Sequence, residues 1–420
     1  MRHLSLVGAA VILWILALGV SQGAGPISPS AMRNHPAIRY NVAPVHDSMS
    51  DLQARIASGA VKLEYEPVHG YLRSILKALD VPVESQVMVF SKTSFQAPKI
   101  SPDNPRALYY NDHVAVGFVR TGDYLEFVDQ DPTQGANFYT LENKPDAPIE
   151  FKRNNIACIL CHTAEATDNV PGFFLGSVYP EPDGTTAYGP AITTDQRTPF
   201  EDRYGGWYVL GEHHGKHMGN AVVTDNNDLR GMVTPQTSHL MSLQGKFDMT
   251  GYLTPYSDLV SLLVLEHQVG MMNEITRIGW EARIGAADVG RPLSEAAAEF
   301  VDYMLFIDEA KLPGPIHGVA GYEKAFEAAG VRDHEGRSLR DLDLDTRLMK
   351  YPCSYMIYTK AFDALPANAK AAIYARMWEI LSGKETGERY NHLTAADRQN
   401  IVEILLDTKK DLPDYFKPIS

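Results

Sequence analysis

Cys158-Ile159-Leu160-Cys161-His162 constrains this chain more than any other stretch of it. Two thiols with two residues between them, and an imidazole directly after the second, aim soft nucleophiles and a nitrogen donor at one small volume. Such a spacing can close a disulfide, act as a redox dithiol, or supply half of a tetrahedral zinc site. It can also add across the two vinyl groups of a porphyrin while the histidine reaches the iron. A zinc ribbon needs a second ligand pair, and the sequence has no other C-x-x-C and no closely spaced Cys/His pair. A thioredoxin-like dithiol leaves His162 unexplained. Only the porphyrin reading uses all three side chains. The sequence therefore predicts one haem c, covalently held by Cys158 and Cys161, with His162 as proximal iron ligand.

The start of the chain bears on the same question. Arg2 gives a positive first segment, Leu4 to Val20 is almost wholly apolar, and Ser21 and Gly23 are small residues suited to cleavage. Residues 1–24 read as a secretory signal, with an uncleaved membrane anchor as the alternative. C-type haem is attached outside the cytoplasm, so export and the motif support each other, and the expected location is periplasmic. Three cysteines in an exported chain of 420 residues do not make a disulfide scaffold. The third, Cys353, lies among aromatic residues and reads as a small buried hydrophobe.

Formal net charge is −14, which argues against nucleic acid as a partner. It suits docking of a basic redox protein.

Hydrophobic spacing divides the chain. Residues 25–145 open with a Pro/Ser/Asn-rich leader, then show helical spacing from Ser48 to Leu79. After Pro82 the period shortens to near two in Gln86–Phe90, Ala107–Tyr110, His113–Val119, Tyr124–Val128 and Asn137–Leu141, a small antiparallel sheet by its turn signals. Residues 146–255 are rich in Gly and Pro, carry the motif, and read as a loop-rich, cytochrome c-like haem-binding region. Residues 256–420 are helical by period, with candidates at Ser257–Ile284, Ser294–Ile307, Tyr322–Ala329, Tyr355–Ala361, Ala367–Ser382 and Ala395–Leu406. Thr394, with Asp397 three residues on, and Ser294 before a similar run both look like helix N-caps. The expected fold class is α+β, mostly helical, with the β region on the N-terminal side.

The second iron ligand separates a carrier from a catalyst, and several residues compete for it. Glu212-His213-His214-Gly215-Lys216-His217-Met218-Gly219-Asn220 is the densest cluster. Met218 would raise the potential by thioether ligation, and His217, His213 or His214 would give a bis-histidine site. His267 is the rival, on a helix apolar on nearly every side, where a buried imidazole needs a partner of some kind. Met232, Met241 and His239 are weaker candidates. Arg197, Arg203 and Lys216 can pair with propionates, and Tyr204, Trp207 and Tyr208 can edge the porphyrin. Glu266, Asn273 and Arg277 read as a structural polar network.

Cys158–His162 resembles the haem site of c-type cytochromes. Longer stretches look like a group of large exported bacterial single-haem proteins of unassigned function: Ile100–Asp112, Arg203–Tyr208 with His217–Asn220, Leu265–Gln268, and Leu348–Tyr355. The resemblance implies haem binding and electron transfer along most of the mature chain. Small class I cytochromes are several times shorter, and dihaem peroxidases need two such motifs where this chain has one. Two functions follow as expectations. One is a carrier of single electrons between redox partner proteins. The other is a haem enzyme with an open or displaceable sixth position, such as a peroxidase or small-molecule oxidase.

Overall fold

The alternating run between residues 86 and 142 folds into one antiparallel sheet. A computed structural model describes residues 27–223 and 239–419; the expected signal at 1–24 and Met232 lie outside them. Strands β1 (Val87–Val89), β2 (Arg106–Tyr110), β3 (Val114–Val119), β4 (Tyr124–Asp131) and β5 (Gly135–Glu142) pair in chain order, all antiparallel. β6 (Lys152–Arg153) adds beside β5, and β9 (Trp207–Tyr208) adds beside β1. A separate hairpin joins β7 (Leu175–Pro180) to β8 (Thr186–Thr194).

Because side chains alternate along a strand, the sheet has two apolar faces. One carries Ala107, Tyr109, Val116, Phe118, Leu125, Phe127 and Leu141 against two helices, α2 (Ser48–Ala57) and α3 (Leu72–Ala78), which follow a short α1 (Pro29–Asn34). The single helical run expected from Ser48 to Leu79 is broken between them, where Gly59, Pro67 and Gly70 interrupt it. Gly70 turns with φ +60°, and a Cβ there would lie 2.0 Å from Asn143 Oδ1.

The other face, with Tyr110, Ala136 and Phe138, belongs to the larger core around α5 (Leu259–Ile284). A four-residue α4 (Asn155–Cys158) precedes α5; after it come α6 (Ala286–Val289), α7 (Leu293–Met304), α8 (Tyr322–Ala328), α9 (Lys360–Asp363), α10 (Ala367–Leu381) and α11 (Ala395–Thr408). α5 starts cleanly because Asp258 accepts hydrogen bonds from Val260 and Ser261 N–H. Among the described residues no helix is long and apolar enough to cross a membrane. Of the described residues 34% are helical and 16% are in strands, a mixed α+β fold.

Candidate functional site

Cys158 to His162 continue the turn that α4 begins. Cys161 and His162 N–H both donate to the Cys158 carbonyl, at 3.2 and 3.0 Å. Asn155 ties that turn to the sheet: its Oδ1 accepts from Phe138 N–H at 3.0 Å. Both motif thiols are free, Cys158 half-buried and Cys161 exposed. Ile159 points into the core, whereas Ile156 and Leu160 are 81% and 82% exposed, an unusual amount of apolar surface on one turn. Burial, with Glu126 and Cys161 nearby, pushes the Cys158 thiol up to about 11.

The His162 ring lies between Phe138 and Phe174, with ring centres 4.8 and 5.2 Å away. Its Nδ1 is 2.9 Å from the Gly172 carbonyl oxygen. A carbonyl only accepts, so Nδ1 carries the proton and Nε2 keeps its lone pair. Among the described residues Nε2 has no hydrogen-bond partner and is not sealed from solvent, so it stays open to an incoming group. Burial lowers the imidazole's pKa and holds it neutral. These are the features an iron-binding histidine requires.

The partner loop is itself clamped. Asn273 on α5 donates to the Phe173 carbonyl at 2.7 Å and accepts from Phe173 N–H at 2.9 Å. On the sheet face shared with Phe138, Leu108, Ala115 and Val128 remain only partly covered. Arg106 and Glu126 form an ion pair at 3.0 Å near the same edge. Two free thiols, an open Nε2 and an adjoining apolar sheet face fit a haem c.

Several sixth-ligand candidates are engaged in other contacts. The Met218 sulfur receives the Ser177 hydroxyl at 3.6 Å and packs in a small cluster with Tyr179, Ala187, Ala221 and Val223, apart from the core that holds Ile159 and Cys158. His217 Nδ1 accepts from Gly219 N–H at 3.0 Å, so its enclosed, unpartnered Nε2 carries a proton and is no donor to iron in the neutral ring. His213 lies 4.8 Å from it, with Nδ1 on the Gly215 carbonyl and an enclosed Nε2. His214, His239 and Met241 are exposed. His267 is a satisfied core histidine. Its Nδ1 meets Gln196 Oε1 at 2.5 Å, its Nε2 meets the Ser354 hydroxyl at 2.7 Å, and its ring stacks on Phe306 and Tyr303.

The side chains expected to surround a porphyrin are also committed. Arg203 is buried and paired with Glu266 at 2.9 Å, and Tyr204 donates to the same Glu266 oxygen at 3.0 Å. Trp207 donates to the Gly176 carbonyl and Tyr208 to the Pro102 carbonyl. Arg197 bonds Asp195, and Lys216 is exposed. Cys353 is fully buried, its thiol pushed up to about 12 by that burial.

Sequence reasoning missed a cavity of about 360 Å³ beside the motif. Phe174, which packs on His162, also forms part of its wall. Its residues come from four separate stretches (Glu165–Phe174, Thr193–Arg197, Glu266–Glu274 and Tyr303), so no local pattern announces it. Among the described residues no group of three or more His, Cys, Asp or Glu side chains converges to hold a metal ion. No family model, curated protein or solved structure matches the chain.

Proposed function

We propose that this chain is a single-haem c-type cytochrome. Haem c is carried on Cys158 and Cys161 with His162 as proximal ligand, and the protein passes single electrons in an exported, periplasmic redox chain. The observation that carries this reading is the state of His162: Nδ1 held by the Gly172 carbonyl, Nε2 open, and two free thiols on the same turn. When bound, the haem supplies a one-electron couple. Phe138 and Phe174 keep the imidazole plane fixed, and Asn155 and Asn273 hold the segments on either side of it. Leu108, Ala115 and Val128 offer an apolar face that excludes water, and Leu160 and Ile156 form an exposed apolar rim where a redox partner docks. In this reading residues 1–24 direct export, 25–145 supply the helix-and-sheet support, 146–255 hold the haem, and the helical residues 256–420 brace it.

The test is to produce the full chain in a host that attaches haem c and weigh it after denaturation. One haem mass should stay on the chain, and the double substitution Cys158→Ala with Cys161→Ala should abolish it. A haem that extracts into organic solvent, or none at all, would end the proposal.

A second reading, a haem enzyme with an open or displaceable sixth position, is favoured by one observation. Met218, His217 and His267 all have their donor atoms engaged or protonated. A high-spin ferric spectrum with rapid cyanide binding would assign the protein to this class. A low-spin spectrum that changes in Met218→Ala would assign it to the carriers, with Met218 leaving Ser177 to bind iron.

A further inference from the structure

The cavity beside the motif has an acidic floor and an aromatic wall. Glu266 lines it and is fully buried. Its Oε2 is bonded to Arg203 and Tyr204, while Oε1 has no hydrogen-bond partner, with the Thr194 hydroxyl beside the carboxyl group. An enclosed carboxylate oxygen without a donor is costly, and native structures rarely leave one so. A donor that arrives with a ligand would remove that cost.

The charge of the lining says what kind of donor. Glu165, Asp168, Asp195, Glu266 and Glu274 face the cavity with one guanidinium, Arg197. Arg197 is already bonded to Asp195 at 3.0 Å and lies over the Tyr303 ring at 5.1 Å. Behind the wall, Arg203 neutralises Glu266 and Arg277 neutralises Glu274. Carboxylates still outnumber guanidiniums, and Asp168 makes no ion pair among the described residues. An anion would be repelled here and a cation held.

The other half of the lining says what the cation carries. Phe173, Phe174, Val269 and Tyr303 present carbon surface, and about 360 Å³ lies within the range of small-molecule pockets. A bare divalent ion would need several oxygens converging on one point, which the described residues do not provide. Glu165, Thr193 and Arg197 are exposed at the mouth while Glu266 is buried. A ligand therefore enters with its charged end inward and its apolar part along Phe174.

We infer that this cavity binds a small organic ammonium ion bearing an aromatic or apolar group, with Glu266 and Asp168 as its charge partners. The inference goes beyond haem binding and does not depend on it, since none of Cys158, Cys161 and His162 lines the cavity.

The test is calorimetric titration of the full chain with phenethylammonium, with the neutral phenethyl alcohol, and with Ca²⁺. Phenethylammonium should bind at one site and the alcohol should bind at least about tenfold more weakly, because it lacks the charge. Glu266→Gln should weaken the ammonium by a similar factor. If losing the charge opposite Arg203 unfolds that variant, Asp168→Asn at the less buried wall carries the same expectation. Absence of phenethylammonium binding, equal binding of the alcohol, or displacement of the amine by Ca²⁺ would overturn the assignment. The readout is heat rather than colour, so failure here leaves the haem proposal standing.

Discussion

His162 and Gly172 hold each other by two hydrogen bonds, imidazole Nδ1 to the glycine carbonyl at 2.9 Å and glycine N–H to the histidine carbonyl at 3.0 Å. The pair closes the loop that follows the motif and sets the direction of the free ring nitrogen. Position 172 also has no room for a side chain, since a Cβ would lie 2.2 Å from Asn273 Oδ1.

Gly172→Ala should therefore push the Asn273 clamp aside and tilt the imidazole. A loss of about 1–3 kcal/mol is expected from such overpacking. Urea unfolding measures it, and haem content per chain should fall alongside. A variant as stable as the parent with full haem content would show that the loop tolerates the shift.

Arg203 and Glu266 form a buried ion pair, and deleting one member strands the other. Arg203→Ala should cost about 3–5 kcal/mol, whereas the double change Arg203→Met with Glu266→Leu should lie much closer to the parent. Thermal unfolding of the three proteins compares them. Equal losses in the single and double variants would mean the pair's charge is not what matters.

Burial lowers the pKa of His267 to about 3. Its unfolded counterpart titrates near 6.5, so between roughly pH 6.5 and 3 the unfolded chain binds the extra proton and stability falls as pH falls. Above that window the contribution is fully present. Asp129 and Glu309, each raised to about 7 chiefly by burial, act in the opposite sense, because the folded state then holds their protons. A comparison with His267→Gln separates the terms. The parent should lose stability relative to that variant by up to about 1.4 kcal/mol per pH unit as pH drops through the window. A difference independent of pH would show that His267 is solvated.

Thr394 and Asp397 make a reciprocal cap at the start of α11: Thr394 Oγ1 accepts from Asp397 N–H at 3.0 Å, and Asp397 Oδ2 accepts from Thr394 N–H at 3.0 Å. Thr394→Ala should cost about 1 kcal/mol, with Thr394→Ser close to neutral. Denaturant midpoints for the two variants decide it.

The sheet and the helices were legible because they rest on local periodicity. All five strands expected between 86 and 141 appear, and so does the capped helix at Ala395, but Ser294 lies inside α7, whose N-cap position is Pro292. The hairpin of β7 and β8 was not foreseen, since its strands contain Gly176, Gly189 and Pro190, which read as loop. The break between α2 and α3 was hidden because apolar residues continue at helical spacing on both sides of it. Within the site, the motif itself announced three residues. What holds them is a backbone carbonyl, two phenylalanines and an asparagine on a distant helix, and such contacts leave no spacing to read. The polar network expected of Glu266, Asn273 and Arg277 does not form: Glu266 bonds Arg203 and Tyr204, Asn273 the Phe173 backbone, and Arg277 Glu274 and Glu299. The free oxygen of Glu266 depends on how Thr194 and Phe173 come to lie over α5.

β9 pairs with β1 across the free edge of the sheet, although Trp207 and Tyr208 follow the cysteine motif in the chain. A polypeptide emerging from its N-terminus can zip β1 through β5 by neighbouring hairpins, but the outer edge of β1 must wait for a segment that arrives later. For most of that interval Cys158 and Cys161 are already out while the last strand is not. On the proposed haem-binding reading, this order of emergence leaves the thiols within reach of an attaching enzyme while the sheet is still unfinished.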